Sequence, residues 1–80
     1  MWYYLVRYSF DPTKSVFGPF DTEEDAWEAA LADAQKEFDI DQNENEYDSD
    51  MSEYEEYGEI VLVNHFDDRS DTTEYILFEL

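Results

Sequence analysis

Thirteen carboxylates and no lysine or arginine lie between Glu37 and Asp68. The whole chain of 80 residues has 23 acidic and 4 basic residues, a formal net charge of −19. A small domain with this charge repels itself in the compact state, so the acidic residues do not serve stability. We interpret them as a surface that binds something strongly basic, and the commonest basic surfaces in cells are those built to hold nucleic acid.

Aromatic residues make up 19% of the chain, as seven Tyr, six Phe and two Trp. Disordered acidic segments are poor in aromatic residues, whereas each buried ring removes about 150–250 Å² from water. We therefore expect a folded protein, with an aromatic core under a charged coat. Its length fits a single domain over residues 1–80.

Several classes of protein are disfavoured by what the sequence lacks. The chain contains no cysteine, so it has neither disulfides nor a thiolate metal site. Residues 1–7 do not read as a signal peptide, and no apolar run approaches the roughly 20 residues of a membrane span. We expect a cytoplasmic protein that binds neither membranes nor nucleic acid directly, because its acidic coat is repelled by both.

Alternating apolar residues predict a strand over residues 2–10. Residues 11–14 are predicted to form a turn and residues 15–20 a short second strand, limited by Pro19. Thr22, followed three residues later by Asp25, resembles a capping box and predicts the start of a helix that ends near Phe38. The residues expected on the core face of the first strand are Trp2, Tyr4, Val6, Tyr8 and Phe10, and those on the helix are Trp27, Ala30, Leu31, Ala34 and Phe38.

Residues 39–59 form an acidic connecting segment, which is either an open loop or a loop with a short helix that ends at Gly58. Strands are expected from Ile60 to about Phe66 and from Thr73 to Leu80. The predicted fold class is α+β, with an antiparallel sheet of about four strands in the order β-β-α-β-β and one main helix packed on one face.

Acidic residues recur at every second position in two parts of the connecting segment. In an extended chain residues i and i+2 point the same way, about 6.6–6.8 Å apart, which is comparable to the step between phosphates along a nucleic acid strand. This spacing predicts that the carboxylates imitate phosphates, with Tyr54 as an aromatic anchor; the alternatives are an ordinary solvated surface and a tyrosine that covers the sheet. The candidate partner-binding residues are Asp39, Asp41, Glu44, Glu46, Asp48, Asp50, Glu53, Tyr54, Glu55 and Glu56, with Glu24, Asp25 and Glu28 as a second line.

Residues 39–50 also resemble a twelve-residue EF-hand loop. The sixth position should be glycine but is Glu44, and the last is an aspartate rather than a glutamate. The weak candidate ligands are Asp39, Asp41, Asn43 and Asp50. Because so acidic a stretch matches by chance, we expect no specific metal and no cofactor.

Signatures of catalysis are lacking. His65 is the only histidine and falls in a predicted strand, and two glycines cannot form a phosphate-binding loop. Paired carboxylates occur throughout the chain, so no pair is diagnostic of acid–base chemistry. We expect that the protein is not an enzyme.

In its small size, extreme acidity and aromatic core, the chain resembles the DNA-mimic inhibitors of phages and mobile elements, which include acidic anti-CRISPR and anti-restriction proteins. The resemblance implies an inhibitor, in the cytoplasm of a bacterial host, that occupies the basic DNA-binding cleft of a CRISPR effector nuclease. The alternatives are a DNA mimic directed at a restriction enzyme or another DNA-binding protein, a calcium-binding module, and a plain acidic interaction module. We expect a monomer, although Tyr3, Leu5 or Val61 could pair two sheets.

Overall fold

A computed structural model describes residues 1–44 and 48–80 of the chain. One helix and a single antiparallel sheet of five strands make an α+β fold. The order of the strands across the sheet is β2-β1-β5-β4-β3. The elements are β1 (Trp2–Tyr8), β2 (Asp11–Phe20), α1 (Glu23–Glu44), β3 (Asp48–Tyr54), a 3-10 turn (Glu55–Tyr57), β4 (Glu59–His65) and β5 (Ser70–Glu79).

The sheet is built from three pairings between strands that are consecutive in the chain and one long-range pairing. β1 pairs with β2, and β3 pairs with β4, each antiparallel to its neighbour in the chain. The last strand, β5, lies between them and pairs with both β1 and β4. The long-range pairing of β5 with β1 closes the domain, since it joins the two ends of the chain at the middle of the sheet.

Helix α1 begins where the sequence predicts. The hydroxyl of Thr22 accepts a hydrogen bond from the amide of Asp25 at 3.1 Å, which is half of the predicted capping box. The helix packs on the sheet through Ala26, Ala30 and Ala34, all completely buried. Because alanine has only a methyl group, the helix axis can approach the sheet closely, and larger residues flank this contact on both sides.

The core lies between the helix and one face of the sheet. The buried strand residues are Tyr4, Val6, Ser49, Ile60, Leu62, Thr73, Tyr75 and Leu77. Successive residues of a strand point to opposite faces, so their neighbours form the face that the helix does not cover. We call this second face, on which Leu5, Val61 and Ile76 lie, the open face.

Several sequence-based expectations are corrected by the fold. The sheet has five strands rather than about four, because much of the acidic segment 39–59 is itself regular structure. Helix α1 continues past Phe38 to Glu44, and the rest of the segment contributes β3 and the 3-10 turn. The turn does end at Gly58, whose φ of 61° is left-handed, as the C-cap prediction requires.

The first hairpin also differs from expectation. β1 ends at Tyr8 and β2 begins at Asp11, so the expected turn over residues 11–14 is mostly strand. Phe10 therefore lies in the two-residue connection and is 61% exposed rather than in the core. Its ring packs beside that of Tyr8, with centroids 5.3 Å apart.

Across residues 1–44 and 48–80, no helix combines the length and the apolar character that crossing a bilayer requires.

Candidate acidic binding surface

The ten predicted binding residues are distributed over three elements instead of one extended segment. Asp39, Asp41 and Glu44 belong to α1; Asp48, Asp50, Glu53 and Tyr54 belong to β3; Glu55 and Glu56 belong to the 3-10 turn. Glu46 lies outside the described residues. The predicted linear array is therefore wrong as a single row, since the chain changes from helix to strand within it.

Helical geometry separates Asp39 from Asp41. Two residues along an α-helix are about 200° apart around its axis, so their side chains leave in nearly opposite directions. Asp39 is exposed and accepts a hydrogen bond from the side-chain amide of Gln35 at 3.0 Å, whereas Asp41 is half-buried. Only Asp39 of this pair contributes to the outer surface.

The spacing argument does hold within β3, over a shorter range. Asp48 and Asp50 are exposed and point to the open face, opposite His65 and Val63 of β4. Glu53 points to the other face of the sheet, because it is three residues from Asp50. The row of carboxylates at strand spacing thus consists of two residues in the described chain.

Over the residues that the structure describes, the stretch 39–50 does not have the form of an EF-hand loop. Its first six positions, Asp39 to Glu44, are the last turns of α1, where the sharp turn of an EF-hand loop would have to begin. Asp50 lies in the neighbouring strand. Among residues 1–44 and 48–80, no three His, Cys, Asp or Glu side chains form a group suited to holding a metal ion.

His65 joins two polar side chains on the open face. Its Nε2 lies 2.7 Å from Oδ2 of Asp50, and its Nδ1 lies 3.3 Å from the hydroxyl of Ser70. The order serine, histidine, aspartate is that of a catalytic triad. The side chain of His65 is 45% exposed and that of Asp50 is 74% exposed, so this arrangement is a solvent-exposed polar contact and not a water-excluded reaction site.

The clearest concentration of carboxylates lies where the first half of α1 faces the 3-10 turn. Glu23, Glu24 and Glu28 from the helix and Glu55 from the turn line an open depression of about 520 Å³, with Trp27 among them. We call this the acidic depression. It brings one residue of the predicted set together with the predicted second line on α1.

Further exposed carboxylates follow along the helix beyond the depression. We define the acidic surface as the exposed carboxylates of α1 and the 3-10 turn: Glu23, Glu24, Asp25, Glu28, Glu37, Asp39, Glu55 and Glu56. The helix ends with Asp39, Asp41 and Glu44 and has no basic residue in its last turn. Carboxylates at a helix C-terminus oppose the dipole and cost roughly 0.3–1 kcal/mol each at exposed positions, so their placement does not serve stability.

The basic residues lie largely elsewhere. Arg7 donates to both carboxylate oxygens of Glu74 on the open face, at 3.2 and 3.0 Å, and Arg69 lies 3.5 Å from Asp71 beyond β4. Lys14 is directly opposite Arg7 in β2. Lys36 is the one cation of α1. The acidic surface is consequently screened by a single lysine within its own helix.

The Arg7–Glu74 pair also acts on a second carboxylate. The hydrogen bond from Arg7 lowers the pKa of Glu74 below its ordinary value. A hydrogen bond with Glu74, together with partial burial, raises the pKa of Glu59. The two shifts have opposite directions because Arg7 favours the ionised form of Glu74, whereas the neighbouring Glu74 favours the protonated form of Glu59.

Two members of the acidic depression were missed as binding residues by the sequence interpretation. Trp27 was assigned only to the core, yet it is half-buried and reaches the depression. Glu23 was not among the predicted binding residues. The sequence could have indicated this cluster, because Glu24 and Glu28 are four residues apart on one helix face and Trp27 lies beside them.

Compared with protein-family models, with curated proteins and with solved structures, the chain matches none.

Proposed function

We propose that the protein is a nucleic-acid mimic, an inhibitor whose acidic surface occupies the basic DNA-binding cleft of a CRISPR effector nuclease. The observation that carries the proposal is the line of exposed carboxylates along α1 and the 3-10 turn, with Lys36 as the only cation in those elements. Duplex DNA likewise presents a regular surface of negative charge, one per about 1.7 Å of its axis.

The position of the charge supports a binding role over a general effect on solubility. Acidic residues at the first turn of α1 stabilise the helix, but those of its last turn oppose its dipole. A surface that served stability alone would place lysine or arginine there. The net charge of −19 also destabilises the compact state by self-repulsion, and binding to a basic partner offsets this cost.

The acidic depression supplies a place for specific recognition. Glu24, Glu28 and Glu55 surround Trp27, so an arginine or lysine of the partner would meet carboxylates and an aromatic ring together. Opposite charges on the two proteins would speed their encounter and make binding weaker at high salt. The mechanism is competitive: while the protein occupies the cleft, target DNA is excluded.

The experiment has two steps. Immobilised protein captures partners from bacterial lysate at low salt, with and without saturating duplex DNA, and a salt gradient releases them for mass spectrometry. The captured nuclease is then purified and its cleavage of duplex DNA is measured against increasing concentrations of the protein. Recovery of a CRISPR effector that DNA displaces supports the proposal, and a restriction enzyme or repressor recovered in the same way keeps the mimicry but changes the target.

A matched pair of variants separates this surface from net charge alone. Glu24→Gln/Glu28→Gln/Glu55→Gln removes three charges from the acidic depression, whereas Asp67→Asn/Asp68→Asn/Glu79→Gln removes three exposed charges from outside the acidic surface. We expect the first variant to weaken inhibition at least about tenfold and the second less than about threefold. Equal losses in both variants, or partner binding that saturating DNA leaves unchanged, would sink the proposal.

A further inference from the structure

We propose that the open face of the sheet binds the open face of a second copy of this chain, giving a two-fold dimer with both acidic helices on the outside. The helix does not cover this face of the sheet, which carries both apolar and charged residues. Its apolar residues come from all five strands: Tyr3, Leu5, Val16, Tyr54, Val61, Val63, Ile76 and Phe78.

These side chains form a continuous surface. Leu5 lies between Val16 of β2 and Ile76 of β5 in directly paired positions. Two residues away along β1 and β5, on the same face, Tyr3 and Phe78 stack with ring centroids 5.4 Å apart and an angle of 14° between the rings. Val16 is 56% exposed, so the surface reaches the edge of the sheet. A contiguous apolar patch on a small soluble protein indicates an interaction site.

Electrostatic repulsion between two copies is weaker at the open face than at the rest of the surface. The strand residues of the open face include two cations, Arg7 and Lys14, and four carboxylates, Asp48, Asp50, Glu59 and Glu74, which gives +2 − 4 = −2 with His65 neutral. The whole chain carries −19. Contact through the open face therefore joins the two copies at their least repulsive surfaces and separates the helices by both sheets.

The distribution of those charges is self-complementary. The cations lie on β1 and β2, and Asp48, Asp50 and Glu59 lie on β3 and β4, at the other side of the central strand. A two-fold axis parallel to the strands and passing between two copies of β5 reverses the strand order. It places β2 and β1 of one copy over β3 and β4 of the other, so each cationic side meets an anionic side twice.

The area of the open face lies near the lower limit for a specific dimer interface. Five strands about 4.8 Å apart and about seven residues long at about 3.3 Å each give a planar footprint of about 550 Å². The accessible surface of the side chains exceeds this footprint and approaches the roughly 800 Å² per partner of standard interfaces. Two sheets packed in this way form a β-sandwich, in which inner faces lie about 10 Å apart.

The test is sedimentation equilibrium of the unmodified protein at concentrations from about 5 to 500 µM in about 0.15 M NaCl. We expect the mass to rise from that of one 9.6 kDa chain to that of two. We also expect added salt to strengthen the dimer, because it screens net repulsion while leaving apolar contact intact. A single-chain mass throughout this range overturns the proposal.

Substitutions locate the interface. Leu5→Thr/Ile76→Thr places a β-branched residue, which suits a strand, at both positions and should raise the dissociation constant at least about tenfold, whereas Ile40→Thr on the exposed side of α1 should not change it. Circular dichroism and thermal unfolding confirm that the variants fold. A dimer that Leu5→Thr/Ile76→Thr leaves intact overturns the assignment to the open face.

A charge exchange tests the direction of the axis without altering the apolar residues. Lys14→Glu alone should weaken the dimer, and adding Asp50→Lys should restore it, because β2 of one copy faces β3 of the other. Failure of the second substitution to restore the dimer overturns the parallel axis. Both residues are exposed, and circular dichroism checks the fold of the double variant, because Asp50→Lys also removes the contact between Asp50 and His65.

Discussion

The phenolic hydroxyl of Tyr4 donates a hydrogen bond to Oδ2 of Asp33 at 3.0 Å, joining the buried face of β1 to the middle of α1. The ring of Tyr4 is 5% exposed and stacks on Phe17 with centroids 4.9 Å apart. Burial, and then the bond to Asp33, raise the pKa of Tyr4 to about 12. A single phenol therefore holds the helix in register on the sheet and gives a half-buried carboxylate its donor.

Removing that hydroxyl should lower stability. Tyr4→Phe keeps the ring and its stacking but leaves Asp33 without the donor, and we expect the free energy of unfolding to fall by about 1–2 kcal/mol. Urea unfolding followed by circular dichroism measures the change. Tyr57→Phe is the control, since Tyr57 is 71% exposed and should change stability by less than about 0.5 kcal/mol. Equal midpoints for both variants and the wild type would show that the bond contributes nothing.

Alkaline pH should unfold the protein through its buried tyrosines. Burial, and secondarily the charges of Asp33 and Glu37, raise the pKa of Tyr75 above its ordinary value of 10, as burial does for Tyr4. The fold thus favours the neutral phenols, and the unfolded chain releases their protons first. Stability is fully present below pH 10 and falls as pH rises toward about 12. Urea midpoints between about pH 8 and 11.5 check this, and a constant midpoint would contradict it.

Glu59→Gln should stabilise the protein at neutral pH and have no such effect in acid. The hydrogen bond with Glu74 raises the pKa of Glu59 above its ordinary value of 4.5, so its contribution is present at low pH and lost as pH rises through the raised value. Glutamine keeps the hydrogen bond without the charge. Unfolding at pH 4 and pH 7 should show a gain only at pH 7, and a gain no larger than that of the exposed Glu79→Gln would refute the coupling.

Gly58 should not tolerate alanine. Its φ of 61° is left-handed, and a Cβ placed there would lie 3.1 Å from Cβ of Leu77 in the core. The left-handed conformation alone costs an L-residue about 1–2 kcal/mol, so we expect Gly58→Ala to destabilise by at least that amount in thermal or urea unfolding. Glu56→Ala, in the exposed 3-10 turn beside it, should change stability by no more than about 0.5 kcal/mol. Similar effects for both variants would disprove the explanation.

Most of the fold could be predicted from local sequence patterns. The strand that these patterns did not predict depends on a tertiary interaction. The cap at Thr22 and the apolar stripe through Ala30 and Ala34 located the helix, and strand alternation located β1, β4 and β5. β3 was not predicted, because the sequence of Asp48–Tyr54 has little intrinsic preference for a strand. It forms a strand because seven of its residues pair with β4, a tertiary interaction that no local pattern contains.

The candidate site was predictable in character but not in arrangement. Net charge identified an acidic surface, whereas its shape depends on where α1 ends. Gln42 donates a side-chain hydrogen bond to the carbonyl of Ser49, and the hydroxyl of Ser49 donates to Asn64. These contacts attach the last turn of α1 to β3 and β4, and they join residues seven and fifteen apart, beyond the reach of the i, i+2 argument.

The stripe of Ala26, Ala30 and Ala34 has a consequence for recognition. Because these methyl groups pack directly on the sheet, the helix has few alternative positions. Its exposed carboxylates therefore keep a fixed relative arrangement. A disordered acidic tail of equal charge would lose conformational entropy on binding, whereas this surface loses little beyond its own side-chain rotamers. The close packing of these three alanines thereby holds mutually repulsive carboxylates in the fixed arrangement that the proposed binding requires.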